Sequence, residues 1–216
     1  MEYIRPMKEM KPKERLQYIW DYYRIPIICV IIGIVVVFSF VSSFLNRKEH
    51  PVEVLMINST ISDEIETSIK EQMDIFLVEN GYSLKKNEIW VNQTFQADPS
   101  RESLSYQELS AINVMMASGT YSVFFGDKDI YEYYLQSDSF LDMTPYLDDT
   151  LKERYEDQLV FYTSEETNET YICAIRLDKE NAFISNTGCY EECYLCLIPT
   201  DANKEVIKEY LHFILK

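Results

Sequence analysis

Glycine is scarce in this chain, with five in 216 residues. Neither a G-x-G-x-x-G loop nor a G-x-x-x-x-G-K-[ST] loop can be assembled from them, which excludes the two common backbone cradles for dinucleotides and nucleotide phosphates. Histidine is scarcer still, only His50 and His212. Neither stands in a nucleophile motif with Ser or Cys, and there is no H-E-x-x-H. A catalytic triad of recognisable form and a zincin-type centre drop out with them. Basic residues are also short, 20 against 36 acids. Residues 1–45 hold six bases and four acids, a net +2, so the remaining 14 bases and 32 acids give residues 46–216 a net −18. Such a body is repelled by nucleic acid and by anionic lipid, so no nucleic-acid partner is expected. No enzyme activity, cofactor or metal is expected either.

What the chain does have is one long apolar run, residues 25–45 (IPIICVIIGIVVVFSFVSSFL), without Asp, Glu, Lys, Arg or His. At ~1.5 Å per helical residue it reaches roughly 30 Å, the thickness of a bilayer's hydrocarbon core. All six bases of the N-terminal arm precede it, and only Arg47 and Lys48 follow closely. The positive-inside rule then places the N-terminus in the cytoplasm and residues 46–216 outside. Tyr18, Trp20, Tyr22 and Tyr23 stand where aromatic rings favour the headgroup region. Pro12 suits the first turn of a juxtamembrane helix, with Leu16, Ile19, Trp20 and Tyr23 on one face. A cleaved signal peptide is the rival reading. Val41-Ser42-Ser43 is a small-residue cleavage site, although the apolar core is longer than such signals use. The expected organisation is a cytoplasmic basic arm (1–24), a transmembrane helix (25–45), a neck (46–51) and an extracytoplasmic domain (52–216).

The body alternates strand and helix signals. VEVLMI (52–57) reads as a strand covered on both faces. Ser62 is placed to cap a helix carrying Ile65, Ile69, Met73, Phe76 and Leu77, closed by Asn80-Gly81. EIWVNQTF (88–95) is a second strand, in which Trp90 is read as core. Ser105 and Glu108 form a capping box ahead of Leu109, Ile112, Met115 and Met116. YSVFF (121–125), then Gly126-Asp127, leads into a third helix through Ile130, Tyr133, Tyr134 and Leu135. This alternation predicts right-handed crossovers and a mostly parallel sheet in a three-layer α/β sandwich. Beyond residue 140, Thr144-Pro145 is expected to open a helix. QLVFYTS and TYICAIRL form a hairpin around EETNE, YLCLIP (194–199) is the last strand, and Asp201 caps the last helix.

Open α/β sheets bind ligands at the carboxyl ends of their strands. Asn58, Ser59, Thr94, Asp127 and Asp129 fall there and are the candidate ligand-binding residues, although Asp127 is equally suited to capping the next helix. Four cysteines lie outside under the expected topology: Cys173, Cys189, Cys193 and Cys196. In an oxidising setting they are disulfide candidates, with Cys189–Cys193 favoured and Cys173 and Cys196 either paired or free. A C-x3-C-x2-C zinc site is the alternative, but no fourth ligand is nearby.

Two stretches, SVFFGDKDIYEYYLQSDSFLDMTPYLDD (122–149) and CYLCLIPTDANKEVIKEYLHFIL (193–215), resemble bacterial extracellular solute-binding proteins of the sugar-binding ABC class. The likeness rests on a strand ending in a small-acidic turn and on a phrase of the type L-D-L-T-P-Y-L, here residues 141–147 with Met143 in place of Leu. It covers about 50 residues. That family folds as two hinged lobes in chains about twice this long, so the resemblance implies one lobe of a periplasmic-type binding protein. Together with the apolar run and the absence of catalytic motifs, the expected function is a membrane-anchored, non-catalytic binding or interaction module of the bacterial envelope. Its partners would be the lipid bilayer through residues 25–45 and an envelope protein or small solute. The first alternative is the solute-binding component of an ABC-type uptake system, and the second an envelope enzyme.

Overall fold

The computed structural model of the protein describes residues 12–45, 47–101, 106–164 and 167–216. The chain divides into two compact units, Met1–Arg47 and Lys48–Lys216.

The described part of the first unit is dominated by one continuous helix, α1 (Pro12–Leu45). Within it Tyr23–Ser42 is long and apolar enough to cross a membrane, and none of that stretch is buried by the rest of the protein. Phe38 and Phe40 are 73% and 77% exposed. A bare apolar rod of this kind suits hydrocarbon, because a helix satisfies its backbone groups internally. Pro26 lies inside the helix and removes one of those donors. Leu16, Trp20 and Tyr23 are exposed. Residues 1–11, with Arg5, Lys8 and Lys11 of the basic arm, lie outside the described residues, and so does the side chain of Ile19.

The second unit begins earlier than the expected neck allows. The Glu49 amide donates to the Lys86 carbonyl (2.7 Å) and the Glu88 amide to the Glu49 carbonyl (3.0 Å), so residues 48–51 are stitched into the body. Then follow β1 (Glu53–Ile57), α2 (Asp63–Glu79), β2 (Trp90–Asn92), α3 (Tyr106–Ala117), β3 (Val123–Gly126), α4 (Lys128–Leu135) and α5 (Asp149–Arg154). The chain closes with β4 (Leu159–Thr163), β5 (Thr170–Asp178), α6 (Ala182–Thr187), β6 (Glu192–Leu197) and α7 (Lys204–Ile214).

The six strands form one sheet in the order β2-β1-β3-β6-β5-β4. Its first half is parallel: β1 pairs with β2 and with β3 through the crossovers that α2 and α3 supply. The other three pairings, β3–β6, β6–β5 and β5–β4, are antiparallel, so the sheet is mixed and the expectation of a mostly parallel one is corrected. The reason lies in the connections. β4 and β5 are joined by a short hairpin loop, which forces opposite directions. Between β5 and β6 the only helix, α6, has six residues and spans about 9 Å. The nine-residue β5 spans roughly 30 Å, too far for that helix to carry the chain back to its start.

Alternation along the strands sends apolar side chains to both faces. Val54 and Met56 of β1 and Val123 and Phe125 of β3 pack with Ile69, Phe76 and Leu77 of α2, Phe183 of α6 and Tyr210 and Leu211 of α7. Leu55, Ile57 and Phe124 pack oppositely, with Leu109 and Ile112 of α3 and Ile130 and Tyr134 of α4. Each of these strand residues is at most 1% exposed, which contributes on the order of 1.5–3 kcal/mol per large side chain.

Several local signals do what their chemistry dictates. The Ser62 hydroxyl accepts from the Ile65 amide (3.2 Å) and caps α2. Others fall elsewhere. Thr144–Tyr146 is a single 3-10 turn, and the helix expected from Thr144-Pro145 starts only at Asp149, capped by Asp148. Asn203, not Asp201, caps α7. The capping box at Ser105 lies outside the described residues.

Candidate functional site

At the carboxyl ends of β1 and β3 the structure joins three of the five candidate residues into one polar knot. Asn58 follows β1 in a left-handed conformation (φ 59°), which Asn tolerates better than most residues. Its side-chain amide donates to the Ala97 carbonyl and to Asp127 Oδ2, both at 2.8 Å, while Asn58 Oδ1 accepts from the Ala97 amide at 2.7 Å. The other Asp127 oxygen accepts from the Ile130 amide (3.0 Å) and caps α4. Ser59 joins through its backbone: its carbonyl accepts from Gln96 Nε2 at 2.8 Å. The Ser59 hydroxyl is 3% exposed and closes no hydrogen bond among the described residues, although it lies beside the Tyr190 phenol.

The remaining two candidates are not part of the knot. Thr94 is exposed and turned onto Asn92, whose Oδ1 accepts from both the Thr94 amide (3.0 Å) and its hydroxyl (2.8 Å). Asp129 is exposed in the first turn of α4, where a carboxylate complements the helix dipole. Trp90, expected in the core, is 52% exposed on edge strand β2, with its ring against His50 at 5.4 Å.

Tyr190 is the residue that sequence reasoning missed. It is 6% exposed, and its hydroxyl lies 2.7 Å from the Ile57 carbonyl and 3.2 Å from the Phe125 carbonyl, bridging the ends of the two central parallel strands. Burial pushes this phenol's pKa well above its ordinary value, and the nearby Cys193, Cys189 and Asp127 push it the same way. No motif marks it; only its place after Cys189, whose carbonyl accepts from the Thr60 amide (2.8 Å), brings it to this edge. The Asn58 and Asp127 side chains of the knot are committed, while the Ser59 hydroxyl is not. The amide of Asn58 and both oxygens of Asp127 are already spent on the protein's own backbone and on each other.

The four body cysteines sort by face. Cys189 and Cys193 lie in the core on the α2/α7 side, Cys173 and Cys196 in the core on the α3/α4 side. All four are free and fully buried, so the expected Cys189–Cys193 bridge is not found, nor is one between Cys173 and Cys196. Cys193 and Cys196 point to opposite faces of β6, so one zinc ion could not take both, and no metal-binding cluster occurs among the described residues. Cys173 is the extra residue of a bulge where the β4–β5 register shifts. Its thiol lies 3.3 Å from the Val160 carbonyl and 3.2 Å from the Tyr131 hydroxyl. Burial raises the pKa of all four thiols, which keeps them protonated and unreactive.

No family model matches the chain, and no curated protein or solved structure shows significant similarity to it.

Proposed function

We propose that the protein is a single-pass membrane protein of the bacterial envelope, with its N-terminus in the cytoplasm and its acidic α/β body outside. In this reading the body is a non-catalytic binding or interaction module, built as a three-layer sandwich akin to one lobe of a solute-binding protein. The observation that carries it is α1: a 20-residue apolar stretch, none of it covered by protein, separates a basic arm from a body of net charge −18. Apolar clusters on both faces of the sheet support the three layers. The non-catalytic role is supported by Asn58 and Asp127, whose side chains are engaged in holding the scaffold at the strand ends.

The reading is tested on the native chain in membranes. Alkaline carbonate should leave it with the lipid, and mass spectrometry should find residues 25–45 still attached. A mature chain that begins at Phe44 or Asn46 overturns the anchor in favour of a cleaved signal.

A further inference from the structure

On the α3/α4 side of the sheet Cys173, Ala174 and Cys196 are fully buried, but Val160, Arg176 and Tyr194 are not. A pocket of about 400 Å³ lies there, lined among others by Tyr131 and Leu135 of α4, Val160 of β4, Arg176 of β5 and Tyr194 of β6. Tyr131 and Tyr194 stack face to face, ring centres 4.3 Å apart and planes within 2°. Arg176 stands directly across the β5–β6 ladder from Tyr194 and is exposed. In a body with more than twice as many acids as bases, this guanidinium has no ion-pair partner among the described residues. Burial raises the pKa of the Tyr194 phenol and Glu192 and Glu132 push it the same way, while Lys128 and Arg176 act against them. Glu132, held by Lys128 at 3.6 Å, and Asp157 complete the rim.

We propose that this pocket binds a free α-amino acid with an aromatic or large apolar side chain. The carboxylate would meet the Arg176 fork, the ammonium the Glu132 and Asp157 rim, and the side chain the Tyr194 ring with Leu135 and Val160. The charges select this class. A free guanidinium takes a carboxylate or phosphate in two parallel hydrogen bonds. Two carboxylates at the same mouth repel a multiply charged phosphate and favour a ligand that also carries a positive group. An aromatic platform beside apolar side chains takes a planar or branched apolar group. The volume lies within the range of small-ligand sites.

The inference rests on the reading of the body as a binding module and names its ligand. Because binding is measured on the purified full chain in detergent micelles, its failure is independent of the topology result. Isothermal titration calorimetry with L-phenylalanine, phenethylamine, 3-phenylpropionate and D-glucose separates the contributions. L-Phenylalanine should bind saturably with one site per chain. The analogues lacking carboxylate or ammonium should each be weaker by about tenfold or more, and glucose should not bind. Arg176→Ala should abolish binding and Arg176→Lys, which keeps the charge but loses the fork, should weaken it about tenfold. Circular dichroism of both variants should be unchanged, because the side chain is exposed. Tyr194→Leu gives a second, charge-neutral check and should weaken the aromatic ligand selectively. No saturable heat with L-phenylalanine, equal affinity for glucose or for 3-phenylpropionate, or full affinity in Arg176→Ala would overturn the proposal.

Discussion

The Asn58 side-chain amide donates to Asp127 Oδ2 at 2.8 Å, across 69 residues of chain, and ties the end of β1 to the cap of α4. The same amide group holds Ala97 by two further bonds, so one side chain sets the relative position of three connections. Replacing it separates backbone from side-chain effects. Asn58→Ala removes three hydrogen bonds and leaves a Cβ-bearing residue at φ 59°, and should lose about 3 kcal/mol of unfolding free energy. Asn58→Gly keeps the backbone free to turn and should lose about 2 kcal/mol. Denaturant unfolding of the full chain in micelles reads the difference, and equal losses would mean that the left-handed turn contributes nothing.

Gly126 ends β3 because no side chain fits there. A Cβ would come within 2.7 Å of the Phe124 ring and 3.1 Å of Ile130 Cγ2, both fully buried. Gly126→Ala should therefore destabilise by about 1–3 kcal/mol, the usual range for overpacking a core. Unchanged unfolding would show that the Phe124 ring gives way freely.

The buried thiols and phenols make the fold sensitive to alkali. Burial raises the pKa of Cys173, Cys189, Cys193 and Cys196 above 9.0 and of Tyr190 well above 10.0, while Tyr171 is pushed up to about 12. The folded state thus holds protons that the unfolded chain has given up. The stability these groups contribute is complete below pH 9 and is lost as pH rises through their raised values. The melting temperature should fall progressively above about pH 9, and at a fixed alkaline pH unfolding should add tyrosinate and thiolate absorbance from the buried groups to that of the exposed ones. A flat profile to pH 12 would contradict the burial of these groups.

Thiol labelling reads the cysteines directly. With no bridge present, a neutral alkylating reagent should modify none of the four body cysteines in the native full chain and all four after unfolding without reductant. Two or four thiols missing from the unfolded sample would instead restore the Cys189–Cys193 pairing and its counterpart.

Much of the first half of the body is legible in the sequence. The apolar run of β1, the Ser62 and Asp127 caps and the helical spacing through α2 and α4 are local signals, and local hydrogen bonds fulfil them. In the second half the β4–β5 hairpin is legible from its short EETNE loop, but the direction of β6 is not. β5 and β6 bury side chains on both faces, as a parallel strand does, and only the shortness of α6 betrays the reversal. The candidate site was partly legible. Asn58 and Asp127 belong together at the strand ends, but that their bonds would be spent on the scaffold depends on Ala97 and Ile130 arriving from other segments. Arg176 and Tyr194 are 18 residues apart, and nothing local announces that they face each other across a ladder.

The central claim is that one bare apolar helix holds a basic arm inside and an acidic body outside. Protease added to intact cells tests it most directly. The account expects residues 46–216 to be degraded while the membrane is closed, with a short fragment carrying residues 25–45 left in the lipid. A body that survives in intact cells and is cut only after lysis would contradict it.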